Sequence, residues 1–182
     1  KLKGKILAAS FILGVLPLLI AIGYVGSQTS QLLENYGERY MDAGIKGFAK
    51  LVDVGYKTDV ANVAPENRQA ALEALKKAMI NEAAGMKFFK TGYIVIYTSD
   101  GTCIYHPDSQ YVGNKELYNK YDFAKKAIAQ KSGVFNYEFA GTSKTGALAF
   151  NPDLDWVMWA AVPFAEVQAD ALKLRVKLYV FL

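Results

Sequence analysis

The spacing of apolar positions changes along the chain, and each spacing predicts a different element. Residues 6–25 hold no charged side chain over 20 residues. A helix of that length rises by about 1.5 Å per residue and measures ~30 Å, one hydrocarbon thickness. We therefore expect a transmembrane helix there. A cleaved signal peptide is the alternative, but its apolar region is normally only about 7–15 residues long.

Beyond residue 26, apolar residues recur every three or four positions, which is the period of an amphipathic helix. In the first such segment they are Leu33, Tyr36, Tyr40, Phe48, Leu51 and Val52. This stripe predicts a long helix that continues out of the apolar span. A second helix is predicted from Pro65, a favoured first helical residue, to near Gly85, with Leu72, Leu75 and Met79 on one face.

From Gly92 the period changes to two, which indicates β-strands. The runs "YIVIYT" and "TCIYH" flank Asp100-Gly101, which predicts a two-residue hairpin loop. In that register Tyr97 pairs with Ile104 and Val95 pairs with His106. One face then carries Tyr93, Val95, Tyr97, Ile104 and His106, and the other carries Ile94, Ile96, Thr98, Cys103 and Tyr105.

The aliphatic face of this hairpin suits packing against the long helix, and the face with phenols and an imidazole suits a pocket. Further along, "DFAKKAIAQK" predicts a short helix, and "VFNYEF", "GALAF" and "WVMWAAV" predict three more strands. Residues 141–146 are expected to link the first two of these strands. Trp156 and Trp159 are three apart in a strand and should face opposite sides. We predict an α+β fold with a five-stranded antiparallel sheet.

The charges lie mainly at the ends of the chain. Three lysines precede the apolar span, and Lys173, Arg175 and Lys177 lie close to the C-terminus. Without these six, 15 Lys and Arg face 17 Asp and Glu, a formal net charge of −2 for the middle. This pattern is typical of membrane topology and not of nucleic-acid binding. The lysines place residues 1–5 in the cytoplasm and the chain after residue 25 outside.

The last residues, "LKLRVKLYVFL", become apolar only at Leu178. We expect a juxtamembrane helix and the start of a second transmembrane span over residues 171–182, with a cytoplasmic output domain beyond. A surface amphipathic tail is the alternative. Residues 26–170 would then form one extracytoplasmic domain between two spans.

Catalytic and metal chemistry has little support in the composition. One cysteine and one histidine rule out an internal disulfide and most zinc sites, and we expect no cofactor. A hydrolase using Ser99 or Ser109 with His106 is an alternative. Neither serine lies in a nucleophile-elbow motif, so we expect no enzyme.

Two stretches carry a family resemblance. "KTGYIVIYTSDGTCIYHPDSQYVGNKEL" and "GTSKTGALAFNPDLDWVMWAAVPFAEV" resemble the single-Cache domains of bacterial transmembrane receptors. The likeness lies in a Thr-Gly-Tyr strand, an Asp-Gly turn, His-Pro, a Gly-x-x-Lys strand, a Trp strand and a Pro-x-x-Glu exit. One departure is Gly113-Asn114-Lys115, where the family has Gly-Lys-Asn, which leaves the role of Lys115 open.

The resemblance implies a PAS-like sheet with a long N-terminal helix on one face. It implies a small-molecule pocket on the other, under the loop and short helix between the second and third strands. It also implies a sensing domain in the periplasm or outside the cell, held in the bacterial inner membrane and serving a chemotaxis transducer, a sensor histidine kinase or a diguanylate cyclase. Expected partners are a carboxylate, amino acid or amine, and a second copy along Leu33, Tyr36 and Tyr40.

The candidate ligand-binding residues follow from the predicted faces of the strands and from the family resemblance. They are Tyr97, Lys144, Tyr121, Tyr137, His106 and Tyr118. His106 could instead bond backbone groups of the following loop, and Lys144 could be an exposed hairpin lysine. Tyr118 and Tyr121 would cover the opening. A structural subunit that binds nothing remains a further alternative.

Overall fold

The computed structural model describes residues 2–169, and for residues 2–10, 12, 14, 29, 30 and 33 it describes the backbone alone. The elements are α1 (Leu2–Gly55), a π-helical turn (Tyr56–Val60), α2 (Pro65–Gly85), β1 (Tyr93–Thr98), β2 (Cys103–Tyr105), a 3₁₀ turn (Ser109–Tyr111), α3 (Glu116–Lys120), α4 (Asp122–Gln130), β3 (Gly133–Phe139), β4 (Thr142–Asn151) and β5 (Trp156–Pro163). Residues 164–169 are helical. The elements predicted over residues 171–182 lie outside the described residues.

The described residues fall into two compact units: residues 2–37 with 168–169, and Glu38–Val167. In the first unit, the side-chain amide of Gln168 donates a 3.3 Å hydrogen bond to Glu34. Over the described part of the chain, no helix is both long enough and apolar enough to cross a membrane. The span predicted at residues 6–25 is therefore not confirmed.

The second unit contains a five-stranded antiparallel sheet in the order β2-β1-β5-β4-β3. The predicted α+β class and the five-stranded sheet are confirmed. The expected link over residues 141–146 is wrong, because β4 already begins at Thr142. Only Ala140 and Gly141 connect β3 to β4, and both have positive φ, as a tight two-residue hairpin turn requires.

The β1–β2 hairpin departs from its predicted register at the turn. Thr98 N donates to Thr102 O at 2.9 Å, so the loop has three residues ending in Gly101, whose φ is +90°. Tyr97 therefore pairs with Cys103, and a bulge follows before Ile96 pairs with Tyr105. The bulge restores the predicted register beyond this point.

The three-residue loop and the bulge change the predicted faces at two positions. Cys103 lies in the apolar cluster of Tyr97 and not in that of Ile96, whereas Ile104 packs with the helix-side cluster. The predicted placements of Cys103 and Ile104 were therefore wrong. Tyr105 lies on the helix side, as predicted.

Helix α1 packs on one face of the sheet. Its buried residues there are Met41, Ile45, Phe48 and Val52, which share a cluster with Ile94 and Ile96. Of the predicted stripe, Phe48 and Val52 are buried here, whereas Tyr36, Tyr40 and Leu51 are 61%, 55% and 44% exposed; the Leu33 side chain is not among those described. The helix approaches closely at Gly44, where a Cβ would lie 2.6 Å from Phe88 Cε1.

The other face of the sheet is covered by α3 and α4. Leu117 and Ile128 from these helices are buried with Val95, Leu148 and other sheet residues. Trp156 belongs to the helix-side cluster and Trp159 to this second cluster, so the two indoles face opposite sides, as predicted. The sheet therefore separates a helix-packed core from a second, aromatic core.

Candidate ligand-binding site

A pocket opens in the aromatic core, on the face of the sheet opposite α1. Its empty space is about 290 Å³, including the part open to solvent. It lies under α3 and α4, where the family resemblance implies a pocket. The lining residues are Tyr93, Val95, Tyr97, His106, Leu117, Phe123, Tyr137, Phe139, Trp159 and Ala161.

The pocket wall is built from rings that pack on Trp159. The ring centroids of Phe135, Tyr137 and Phe123 lie 5.1, 5.0 and 5.9 Å from that of Trp159. Gly146 on β4 makes room for the indole, since a Cβ there would lie 2.4 Å from Trp159 Nε1. Aromatic clusters of this kind bury a large apolar area. The wall is therefore made of side chains that pack on one another.

Two phenols give the pocket neutral polar groups. Burial raises the pKa of Tyr97 far above its ordinary value, and nearby Cys103 and its hydrogen bond with Tyr97 add to this effect. Burial also raises the pKa of Tyr137 well above its usual range. Burial raises the pKa of the Cys103 thiol to about 11. Both phenols and the thiol are thus uncharged at neutral pH.

His106 lines the pocket and also holds the loop that follows it. Its Nδ1 accepts a 2.9 Å hydrogen bond from the backbone N–H of Asp108. The imidazole lies edge-on to the rings of Tyr93 and Tyr111, with centroids 5.7 and 4.9 Å away. Burial lowers the pKa of His106, outweighing the opposite effect of Asp108. The neutral imidazole of His106 thus belongs to the pocket wall and also anchors the following loop.

Lys144 lies at the rim of the pocket and not in its lining. Its Nζ donates a 3.0 Å hydrogen bond to the hydroxyl of Tyr93. The same ammonium lies 4.9 Å from the Tyr93 ring centroid and 5.5 Å from that of Phe139. Both rings line the pocket, so a positive charge adjoins its interior.

Tyr121 and Tyr118 lie outside the pocket lining. Tyr121 stacks on Phe123 at 5.2 Å and contacts Phe139 edge-on at 5.5 Å, so it packs against two rings that line the pocket. Tyr118 packs against the hairpin turn, where a Cβ on Gly101 would lie 2.3 Å from its ring. The structure thus brings Tyr97, His106 and Tyr137 together, with Lys144 at the rim.

Sequence reasoning did not single out several lining residues. Tyr93 and Val95 were placed on the correct face but were not named as site residues. Phe123 enters through the packing of α4, and Phe139 enters through the pairing of β3 with β4. Trp159 and Ala161 enter through the pairing of β5 between β1 and β4. The period-two pattern of β3 and β5 was the available signal, but it does not show which face meets the pocket.

The site holds no carboxylate among the described residues that line it. Over the same described chain, no group of three or more His, Cys, Asp or Glu could hold a metal ion. Ser99, a candidate nucleophile of the hydrolase alternative, donates its hydroxyl to Asp155 at 2.5 Å. The arrangement can hold a small apolar body and place an anionic group against Lys144.

The hairpin turn beside the pocket is held by Asp100. Its carboxylate accepts from the Thr98 hydroxyl at 2.6 Å and from Thr102 N at 3.1 Å, and it pairs with Lys115 at 2.8 Å. The Lys115 bond, followed by those of Thr98 and Thr102, keeps the pKa of Asp100 well below its usual range. Lys115 therefore fastens the loop before α3 to the turn.

Comparisons with known proteins place this architecture in a family. A family model described as "Cache 3/Cache 2 fusion domain" matches residues 67–177. The search of the curated proteins gave no significant match. Among solved structures, a methyl-accepting chemotaxis protein from Vibrio parahaemolyticus RIMD 2210633 is similar, with 21% identity and a TM-score of 0.53 over 78% of this chain and 98% of that chain.

Two further structures are similar at lower scores. A Cache chemosensory domain described for carboxylic acid recognition has 16% identity and a TM-score of 0.46, over 81% of this chain and 96% of that chain. The ligand binding domain of Mlp24 with asparagine has 24% identity and a TM-score of 0.41, over 54% of this chain and 38% of that chain.

The family match extends over more than half of the sequence and covers the whole sheet that builds the pocket. The likeness to the Vibrio structure agrees with it in fold. The resemblance seen in the two motif stretches is thereby confirmed. The chain belongs to the Cache 3/Cache 2 fusion domain family and is a single-Cache extracytoplasmic sensor domain.

Proposed function

We propose that this chain senses a small molecule for a bacterial membrane receptor, a chemotaxis transducer, and that the aromatic pocket binds the signal. The observation that carries the proposal is the aromatic pocket beneath α3 and α4, with the Lys144 ammonium at its rim. Sensor histidine kinases and diguanylate cyclases are the alternative receptor types.

The charges around the pocket favour a carboxylate over the other two expected ligand classes. An ammonium bound deep in a protein needs a carboxylate or a similar partner, because an unpaired buried charge is strongly disfavoured. The described lining offers no such group, whereas Lys144 can form a charge-assisted hydrogen bond with an anion. A carboxylate that carries no amine fits best.

The size of the pocket favours a small ligand. Its space of about 290 Å³ includes the open mouth. The rings of Phe123, Phe139 and Trp159 would contact an apolar body, and the hydroxyls of Tyr97 and Tyr137 supply neutral hydrogen-bonding groups. Short aliphatic or single-ring monocarboxylates meet these conditions.

The receptor context includes a membrane and a second copy of the chain. The uncharged run over residues 6–25, with lysines before it, supports an anchor in the inner membrane and a sensing domain in the periplasm. On α1, the exposed rings of Tyr36 and Tyr40 support pairing of two copies along this helix. Leu33 is the third residue proposed for that contact.

A thermal-shift panel with matched ligands tests the proposal. Propionate and benzoate are compared with alanine and phenylalanine, and with propylamine and benzylamine. A ligand at 100 times its dissociation constant stabilises the folded chain by about 2.7 kcal/mol. We expect stabilisation by a carboxylate and none by the amines.

The other outcomes of the panel separate the alternatives. Stabilisation by amino acids or amines alone would contradict the carboxylate assignment but retain a sensing role. No stabilisation by any class would favour a structural subunit. Ester hydrolysis that is lost in His106→Ala would favour the hydrolase.

A further inference from the structure

A tight loop before β1 is held by a carboxylate that is distant in sequence. The loop spans residues 88–92 and is closed by two hydrogen bonds, Phe88 N to Gly92 O at 3.3 Å and Gly92 N to Phe88 O at 2.9 Å. Phe89 has a φ of 55° inside it. This closure leaves the N–H groups of Lys90 and Thr91 without partners inside the loop.

Glu166 binds these N–H groups. One of its oxygens accepts from Lys90 N at 2.9 Å and from Thr91 N at 3.1 Å, and the other accepts from the Thr91 hydroxyl at 2.5 Å. Burial acts to raise the pKa of Glu166, but the bonds from Thr91 and Lys90 outweigh it and lower the pKa. Glu166 lies in the helical segment that follows β5. The loop and this segment are thus fastened together by a charged group.

The same loop packs on α1. The Phe88 side chain fills the space above Gly44, and the ring of Tyr40 lies edge-on to Phe88 and Phe89, with centroids 6.1 and 5.5 Å away. Phe88 is 2% exposed. Because this contact is close-packed, a movement of the loop would displace α1 as well.

The loop also leads directly into the pocket. Gly92 is followed by Tyr93, the lining residue whose hydroxyl accepts from Lys144. Tyr93 lies two residues after Thr91, the residue with two bonds to Glu166. One five-residue loop thus adjoins the polar end of the pocket, α1 and the helical segment after β5.

We propose that loop 88–92 is the junction through which pocket occupancy reaches both helices, and that Glu166 is the positioning residue that holds Tyr93 for the ligand. The inference rests on the proposed sensing function. A carboxylate that takes the Lys144 ammonium from Tyr93 removes one restraint on the start of β1. The hydrogen bonds between Thr91 and Glu166 remain. Through them, a shift at the start of β1 reaches the helical segment after β5.

The inference is tested without a ligand by residue-resolved amide exchange on the full chain. Tyr93→Phe and Lys144→Met each remove the bond that a carboxylate would compete for. We expect either variant to speed exchange at Lys90, Thr91 and residues 164–167 by about three- to tenfold. Unchanged exchange at these positions would overturn the junction, whatever the ligand panel shows.

Glu166→Gln tests the positioning role, with Glu138→Gln, an exposed change on β3, as the matched control. Glu166→Gln should speed exchange at Lys90 and Thr91 and also change the exchange of Tyr93, whereas Glu138→Gln should do neither. If Glu166→Gln does not fold, Glu166→Asp serves in its place. Faster exchange confined to Lys90 and Thr91, with Tyr93 unchanged, would make Glu166 a local cap and overturn the positioning role.

Discussion

The Nζ of Lys144 donates a 3.0 Å hydrogen bond to the hydroxyl of Tyr93, across the β5 strand that separates β4 from β1. The pair joins two residues that are 51 positions apart in sequence. It places an ammonium group against two aromatic rings of the pocket. An incoming anion would meet a charge that the fold already holds in position.

Replacing Lys144 by methionine should weaken carboxylate binding about tenfold or more, because a hydrogen bond to a charged group contributes about 1.5–3 kcal/mol. Lys125→Met is the matched control, since that lysine is exposed and pairs with Asp122 on α4. Calorimetric titration with the carboxylate that stabilises best measures both variants. Equal affinity in wild type and Lys144→Met would remove the lysine from the site.

Gly146→Ala should distort the pocket wall. The added Cβ would lie 2.4 Å from Trp159 Nε1 and 2.8 Å from Phe135 Cε1. Overpacking of this kind destabilises by about 1–3 kcal/mol. Gly47→Ala is the control, because no atom lies within 4 Å of its Cβ and alanine favours a helix. Urea unfolding should show a loss for Gly146→Ala and none for Gly47→Ala; equal effects would contradict the packing described.

Gly101→Ala and Gly113→Ala separate backbone strain from the packing of Tyr118. Both glycines have positive φ, +90° and +79°, which costs an alanine about 1 kcal/mol or more. Only at Gly101 does a Cβ meet the Tyr118 ring, at 2.3 Å. The Gly101 variant should therefore be the less stable by thermal unfolding. If the two variants lose equal stability, Tyr118 does not hold the turn.

Stability should fall as the pH is lowered through about 6.5. Burial lowers the pKa of His106 from its ordinary value of 6.5, an effect that nearby Lys144 reinforces and Asp108 opposes. Below that value the unfolded chain binds a proton that the folded chain does not, so the free energy of unfolding decreases. One proton gives a slope of at most about 1.4 kcal/mol per pH unit.

This pH dependence belongs to one residue, since the chain has a single histidine. Urea unfolding at pH 7.5 and pH 5.5 measures it, with His106→Gln as the comparison. The variant should be less sensitive to pH than the wild type over this range. A wild-type stability that is flat, or that rises on acidification, would contradict a buried neutral imidazole.

Much of the fold could be predicted from local pattern. The alternation in "YIVIYT" correctly gave β1, and it correctly placed Tyr93, Val95 and Tyr97 on one face. The error at Cys103 came from the turn, because Asp-Gly suits both a two-residue loop and a three-residue loop ending in a positive φ. The three-residue loop is selected by the pairing of Thr98 with Thr102. Asp100 supports this pairing through hydrogen bonds to both threonines.

The site was less predictable than the fold because it depends on pairings between distant strands. Trp159 enters the pocket through the register of β5 against β1 and β4, and Phe123 enters through the packing of α4. No local pattern in the sequence encodes either placement. The same holds for Glu166, whose partners Thr91 and Lys90 lie 75 and 76 residues away.

The two tryptophans test ligand binding in the pocket most directly, because Trp159 lines the pocket and Trp156 lies in the core on the opposite face. Each is replaced by phenylalanine in turn, and the fluorescence of the remaining indole is followed during titration with propionate and benzoate. We expect a saturable change in Trp156→Phe, which retains Trp159, and little change in Trp159→Phe. A saturable change reported by Trp156 alone, or by neither indole, would contradict binding in this pocket.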